Sequence, residues 1–246
     1  MPASLTIIMP ALNEALNIEG AIHGARTALA EAGIEDYEIL VMTCLDRDLK
    51  HDGTVDIARR LAETEPRIKP VHFDGYQRLG EKFRSAALLA SKEYVMMIPG
   101  DNENDSASFP EIFRQIGKAD MVVSYTSNPE VRSLYRQLLS RTYTLALNIL
   151  FWHGMPYYNG INVYRSSDLR EALPKTEGFA YAAEILITLL RKKRSYIVVP
   201  IRIQPRPGAS KALGWRSFKS VISAIFNLRT RLALRSLSSK DDADRL

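Results

Sequence analysis

Asp101-Asn102-Glu103 directly follows a short apolar run, residues 94–99, and leads into Asn104-Asp105. Two carboxylates one residue apart, on a turn that ends a strand, can face one ligand. Hard oxygen donors of this kind suit Mg²⁺ or Mn²⁺, and such a cation neutralises a diphosphate. Asp105 adds a third candidate metal ligand, or a base that takes a proton from an acceptor. The competing reading is a polar loop or a helix N-cap, since Asp and Asn suit both. The position after a strand favours function.

Three further segments carry usable chemistry. Pro10-Ala11-Leu12-Asn13-Glu14 follows the first apolar run. Its Asn–Glu pair either presents acceptors to a base or ribose, or opens a helix with Asn13 as N-cap. Arg132 and Arg136 are four apart and share a face if helical; they either meet an acceptor phosphate or face solvent. Arg206-Pro207-Gly208-Ala209-Ser210-Lys211 combines two cations, a hydroxyl and a glycine. That is the chemistry of a flexible phosphate clamp, and equally of a solvated basic loop.

The elements that must position these residues alternate. Apolar runs predict strands at 5–9, 38–42, 68–73, 94–99 and 121–124. Helical patterns are expected after the 10–13 turn to about residue 32, and at 54–62, 81–90 and 109–116. Continuous apolar strands separated by helices indicate a parallel sheet covered on both faces. Ligands in such sheets bind beyond the carboxyl ends of the strands. That rule brings residues 10–14, the 43–54 loop and residues 100–105 to one edge. The second half is less regular: a long helix over 131–152 carrying Arg132, Arg136 and Arg141, a strand at 159–164, a helix at 181–191, and a strand at 196–203. A last helix, 215–234, is amphipathic, with Trp215, Phe218, Val221, Ile222, Ile225, Phe226, Leu228 and Leu232 on one broad face.

Composition narrows the class. The 246 residues are 46% hydrophobic and 25% charged, which is ordinary for a globular protein and excludes a fibre, a disordered tail and a disulfide framework. Cys44 is the single cysteine and cannot form an internal bridge, so a reducing compartment is the default. No apolar run approaches the about 20 residues needed to span a bilayer, and no basic segment leads an apolar stretch at the N-terminus. The net charge of +5 is unevenly placed. Residues 185–240 hold 13 basic side chains and no acidic one, while the remainder has 20 basic against 28 acidic. Such a block suits phosphates, a membrane surface or nucleic acid.

In this order the segments resemble the inverting family 2 glycosyltransferases of GT-A fold, and among them the dolichyl- or polyprenyl-phosphate sugar transferases. The resemblance runs from Leu5 to about Lys211. Residues 5–14 are similar to the family's opening strand and Pro-Ala-Tyr-Asn-Glu turn, with Leu12 for the tyrosine. Gly80-Glu81-Lys82-Phe83-Arg84-Ser85-Ala86 resembles its glycine-led helix, and Asp101-Asn102-Glu103 stands at its Asp-X-Asp position. Gly178-Phe179 through Glu184, then Val199-Pro200-Ile201, follow its later pattern, and Arg206 to Lys211 resembles its Arg-X-X-Gly-X-Ser-Lys clamp, one residue short. The family's Asp-Asp-Gly-Ser-X-Asp-Gly-Thr after strand two is interrupted by an insertion. Asp52-Gly53-Thr54 matches its end, and Asp46 or Asp48 takes the base-binding place. Arg132 is the candidate for an arginine that the family often has after its fifth strand, where Tyr125 and Thr126 stand here.

The resemblance implies an α/β fold with a mostly parallel, Rossmann-like central sheet flanked by helices. Residues 1–211 would form the GT-A domain, and 212–246 a basic amphipathic helix and tail. It implies sugar transfer with inversion from a nucleotide diphosphate sugar, with Mg²⁺ or Mn²⁺ on Asp101, Glu103 and Asp105. Pro10, Leu12, Asn13, Glu14, Asp46, Asp48 and Asn102 would bind the nucleotide. Arg132, Arg136, Arg206, Ser210 and Lys211 would bind phosphate or acceptor. The expected acceptor is a polyprenyl or dolichyl phosphate, already anionic and needing no strong base. The C-terminal helix would hold an anionic membrane surface at up to about 1 kcal/mol per basic residue. That makes the enzyme cytoplasmic and peripheral to the inner face of the membrane, alone or as a homo-oligomer. The alternatives are a transferase with a soluble acceptor, a nucleotidyltransferase, and a nucleotide-binding module without catalysis. No nucleic-acid partner is expected, because the basic residues are not set in a recognisable nucleic-acid motif.

Overall fold

The structure, a computed structural model, describes residues 3–205. The Arg206 to Lys211 segment and the amphipathic stretch 215–234 lie outside the described residues.

Strands β1 (Leu5–Ala11) and β2 (Tyr37–Cys44) are buried at every position, which is why they read as unbroken apolar runs. Thr6, Glu38 and Thr43 are the polar exceptions, and the first two bond each other at 2.8 Å. Ser91 and Lys69 complete the partners of the Glu38 carboxylate. β3 (Ile68–Phe73), β4 (Tyr94–Met97), β5 (Met121–Thr126), β6 (Val163–Arg165) and β7 (Tyr196–Ile201) complete one seven-stranded sheet. Its order is β3-β2-β1-β4-β6-β5-β7, and only β6 runs antiparallel to its neighbours, β4 and β5.

Two apolar layers enclose the sheet. One face packs α1 (Ile18–Glu31), α2 (Thr54–Thr64) and α4 (Phe109–Arg114). The other packs α3 (Leu79–Leu89), α5 (Leu134–Phe151), α6 (Ser166–Glu171) and α7 (Tyr181–Arg191). The chain winds outward from β1 to β3, then returns to place β4 on the other side of β1. That reversal makes the carboxyl ends of β1 and β4 the switch point where a ligand cleft forms.

The expected strands and helices are present with three corrections. The sheet is mixed: residues 159–162 are irregular, and β6 is a three-residue strand inserted antiparallel. The long helix begins at Leu134, because Pro129–Val131 forms a short 3₁₀ turn and the Ser133 hydroxyl caps the next helix at the Arg136 N–H. Arg132 therefore stands ahead of the helix rather than on a shared face with Arg136. Finally, Asn17 and not Asn13 holds the N-cap position of α1, without a side-chain cap bond.

Candidate active site

Hydrogen bonding between β1 and β4 continues beyond the strand ends: Ile98 N–H donates to Ile8 O at 2.9 Å and Gly100 N–H to Pro10 O at 3.0 Å. This fixes the acidic turn beside the 10–14 segment. A Cβ on Gly100 would stand 2.8 Å from Ile18 Cδ1 and 3.1 Å from Ala11 Cβ, so the two segments approach as closely as they do because the residue is glycine.

Within the turn, side chains alternate. Asp101 and Glu103 line a cleft with Thr126, Arg132, Tyr157 and Gly160. Asn102, at φ 54°, points the other way, with its amide against Gly20 of α1. The side chain packs on α1 and does not line the cleft with Asp101 and Glu103. The far side of the turn is strapped to the chain after β7. Gln204 N–H donates to Glu103 O at 2.8 Å, its side-chain amide donates to Asn102 O at 3.0 Å, and Asn104 bridges Ile203. The chain thus leaves the acidic turn only two residues before Arg206.

Glu103 is not an open ligand. Its Oε1 accepts from Arg132 Nε at 2.9 Å and lies 3.7 Å from an Arg136 terminal nitrogen. Arg132 also reaches Tyr157 Oη at 3.5 Å. Burial opposes charge on Arg132, but Tyr157 and Glu103 beside it outweigh that penalty and raise its pKa. Asp105 is drawn out of the site. Its carboxylate accepts from Ala107 N–H at 3.1 Å and caps the 3₁₀ turn Ser106–Ser108, while its own N–H bonds Arg202 O. Asp105 thus occupies a capping position and is not brought into the cleft lining with Asp101 and Glu103.

At the β1–β2 edge, Asn13 (φ 56°) places its amide 3.5 Å from Asp46 Oδ2. The other Asp46 oxygen accepts from the N–H groups of Asp48 and Lys50, both at 2.9 Å, and so folds the inserted loop. Led by the Lys50 N–H, these bonds lower the Asp46 pKa. Asp48 is exposed and contributes only its backbone. Between the two acids, the structure brings Asp46 to the 10–14 turn.

Asp52-Gly53-Thr54 has a structural task. Asp52 Oδ2 accepts from Ala15 N–H and Thr54 Oγ1 from Glu14 N–H, both at 2.9 Å. Gly53 at φ 93° makes the bend that permits this. The motif bolts the β1–α1 turn in place.

Among known proteins, the family model described as glycosyl transferase family 2 matches residues 6–173. The chain belongs to glycosyl transferase family 2. No curated protein gives a significant match. Among solved structures, glucosyl-3-phosphoglycerate synthase from Mycobacterium tuberculosis, in complex with Mn²⁺, UDP-glucose and phosphoglyceric acid, is 16% identical with a TM-score of 0.68. The match covers 93% of this chain and 80% of that one. The same synthase with Mg²⁺ and UDP gives 15% identity and 0.67, over 93% and 80%. A mycobacterial protein gives 14% and 0.65, covering 93% and 75%. These likenesses show the GT-A fold. As a family 2 member the chain is a glycosyltransferase, and its match takes in the acidic turn, Asp46 and Arg132, while α7 and β7 lie beyond it.

The donor set of this glycosyltransferase fits a divalent cation in a limited way. Among the described residues, no three His, Cys, Asp or Glu side chains group around one point. Mg²⁺ takes one or two carboxylates and completes its shell with water and substrate phosphate. Asp101 and Glu103 on one cleft wall supply that number, Glu103 through the oxygen that Arg132 and Arg136 do not engage.

Two residues beside the site carry little signal of their own in the sequence. Tyr157 sits in an irregular segment with no spacing to mark it. Lys82, on α3, is buried; desolvation lowers its pKa, partly offset by Cys44 and Glu14 beside it. Only its place after the glycine that leads α3 sets it apart. That glycine, Gly80, is required: a Cβ there would stand 2.2 Å from Thr176 O.

Proposed function

We propose that this glycosyltransferase moves a sugar from a nucleotide diphosphate donor to a polyprenyl phosphate, with inversion at the anomeric carbon. The observation that carries the reading is the opposed charge across one cleft: Asp101 and Glu103 on the turn, Arg132 facing them. Pro10, Leu12, Asn13, Glu14 and Asp46 form the nucleotide edge. Asp101 and Glu103 hold Mg²⁺ or Mn²⁺, which when bound neutralises charge on the diphosphate. The solved structures that share the fold support this, since they contain Mn²⁺ or Mg²⁺ with UDP or UDP-glucose.

Arg132 and Arg136 attract the anionic acceptor and are shared with Glu103 until it arrives. One acceptor phosphate oxygen forms the new bond to the anomeric carbon while the bond from that carbon to the diphosphate oxygen breaks. The nucleophile is already an anion, so no proton has to be removed and Asp105 is free to act as a cap. Arg206 follows two residues after Gln204 of the strap in sequence, and with Ser210 and Lys211 it would clamp the leaving diphosphate. The enzyme works at the inner, cytoplasmic face of a membrane, toward which the basic residues of 185–240 attract it.

A second reading has one observation in its favour. The similar synthase is crystallised with phosphoglyceric acid, a soluble phosphorylated acceptor. The two readings share an anionic acceptor on Arg132 and differ in its tail. The test is nucleoside diphosphate release from a panel of nucleotide sugars with Mn²⁺, with polyprenyl phosphate or with 3-phosphoglycerate. Release that depends on polyprenyl phosphate supports the proposal. Release that depends on 3-phosphoglycerate alone replaces it with the second reading.

A further inference from the structure

The helix that follows Arg132 presents an apolar face to solvent. At 100° per residue, Leu134, Leu138, Leu145, Ile149 and Trp152 fall within one narrow stripe of α5, and all are exposed, Leu134 at 82% and Trp152 at 92%. The opposite face, with Tyr143, Leu147 and Phe151, packs on the sheet. The stripe runs the length of an 18-residue helix, about 27 Å. A row of five large apolar side chains is more than scattered surface hydrophobics and marks a contact surface. Trp152 ends it in the left-handed conformation, at φ 57°, with its ring outward.

Charge decides which partner fits. Helix α5 contains Arg136 and Arg141 and no acidic residue. Arg141 lies in the middle of the stripe, exposed, with no ion pair among the described residues. Packed against a second copy of the same face, it would become a buried charge without a partner, which is strongly unfavourable. At the surface of a bilayer its long stem covers apolar ground while the guanidinium meets a lipid phosphate. An indole at the end of such a stripe suits the headgroup boundary. The 13 basic and no acidic residues of 185–240 give the chain a further electrostatic preference for anionic lipid.

We propose that the exposed face of α5 is the surface by which this protein seats itself on a bilayer carrying anionic headgroups. The first turn of the same helix bears Arg136, 3.7 Å from Glu103, so the cleft would open close to the lipid surface. The proposal goes beyond the transfer reaction and holds whichever phosphate is the acceptor. No helix among the described residues is long and apolar enough to cross a membrane, so the contact would be interfacial.

The test uses the full chain. Trp152 and Trp215 are its only tryptophans, so the Trp215→Phe variant carries a single reporter on the stripe. With vesicles of phosphatidylcholine and phosphatidylglycerol in equal parts, Trp152 emission should shift to the blue and be quenched by brominated acyl chains. High salt should reverse both. Leu138→Glu with Ile149→Glu should weaken vesicle affinity about tenfold or more. Both side chains are already exposed, so melting and the thermal shift given by nucleotide should be retained; Leu138→Ser with Ile149→Ser repeats the test without new charge. Unchanged Trp152 emission on vesicles that bind the protein would overturn the proposal and give the contact to residues 206–246. A concentration-dependent dimer that Leu138→Glu dissolves would overturn it in favour of a second copy. Neither readout involves sugar transfer, so failure here is separate from failure of the transferase assignment.

Discussion

Arg132 Nε lies 2.9 Å from Glu103 Oε1, joining the segment after β5 to the acidic turn after β4. Their side chains are 19% and 15% exposed, so the pair is largely withdrawn from water and removal of one partner leaves the other uncompensated. Arg132→Ala should destabilise the fold by about 1–3 kcal/mol and reduce kcat/KM by about 10²-fold or more. Arg132→Lys should restore stability better than activity, because an ammonium cannot bridge Glu103, Tyr157 and a phosphate as the guanidinium fork does. Chemical denaturation and steady-state kinetics on both variants check this.

Asp46 and Asp48 should separate cleanly. Asp46→Ala removes the acceptor for Asn13 and for two backbone N–H groups, so it should raise the donor KM about tenfold or more. Asp48→Ala should leave the KM within about twofold, since only its N–H is engaged. Titration calorimetry with the donor nucleotide reads the difference directly.

Gly80→Ala should destabilise by about 1–3 kcal/mol without touching the cleft, because the added methyl would meet Thr176 O at 2.2 Å and Glu177 O at 2.8 Å. Gly80 N–H donates to Glu177 O at 2.7 Å, so this contact ties α3 to the chain before α7. A lowered melting temperature with kcat retained below the transition is the expected result.

Acid should weaken the fold through Glu38. Burial alone would raise its pKa, but Lys69, the Ser91 N–H and the Thr6 hydroxyl outweigh burial and hold it at about 2, against 4.5 ordinarily. A pKa depressed in the folded state stabilises above the unfolded value and loses that contribution as pH falls toward the folded one. The contribution, about 3 kcal/mol, should therefore be complete above pH 4.5 and fade between about 4.5 and 2. Urea titrations across this window should show the loss, and Glu38→Gln should flatten it.

Much of this was legible in the residues. The inner strands β1 and β2 and the outer strand β3 read clearly as short apolar runs, and their carboxyl ends placed the 10–14, 43–54 and 100–105 segments together. For β6 the sequence predicts a longer strand, 159–164, because three paired residues carry no periodicity of their own. Arg132 looked helical because nothing in 131–152 breaks the pattern; the Ser133 cap that starts α5 is a local hydrogen bond, invisible to apolar spacing. Asn13 resembled a cap by type, and only its left-handed φ shows otherwise. The acidic turn revealed the residue types, while the alternation that turns Asn102 to α1 and the capping role of Asp105 depend on backbone torsions. Tyr157 enters the cleft from an irregular segment, where no spacing rule applies.

The central claim is that the acidic turn holds the cation that grips the donor diphosphate. Its most direct measurement is Mn²⁺-dependent nucleoside diphosphate release by wild type and by Asp101→Asn, each with polyprenyl phosphate and the preferred nucleotide sugar. The account predicts a loss of about 10²-fold or more in kcat with the melting temperature unchanged. Turnover within a few-fold of wild type in Asp101→Asn would contradict it.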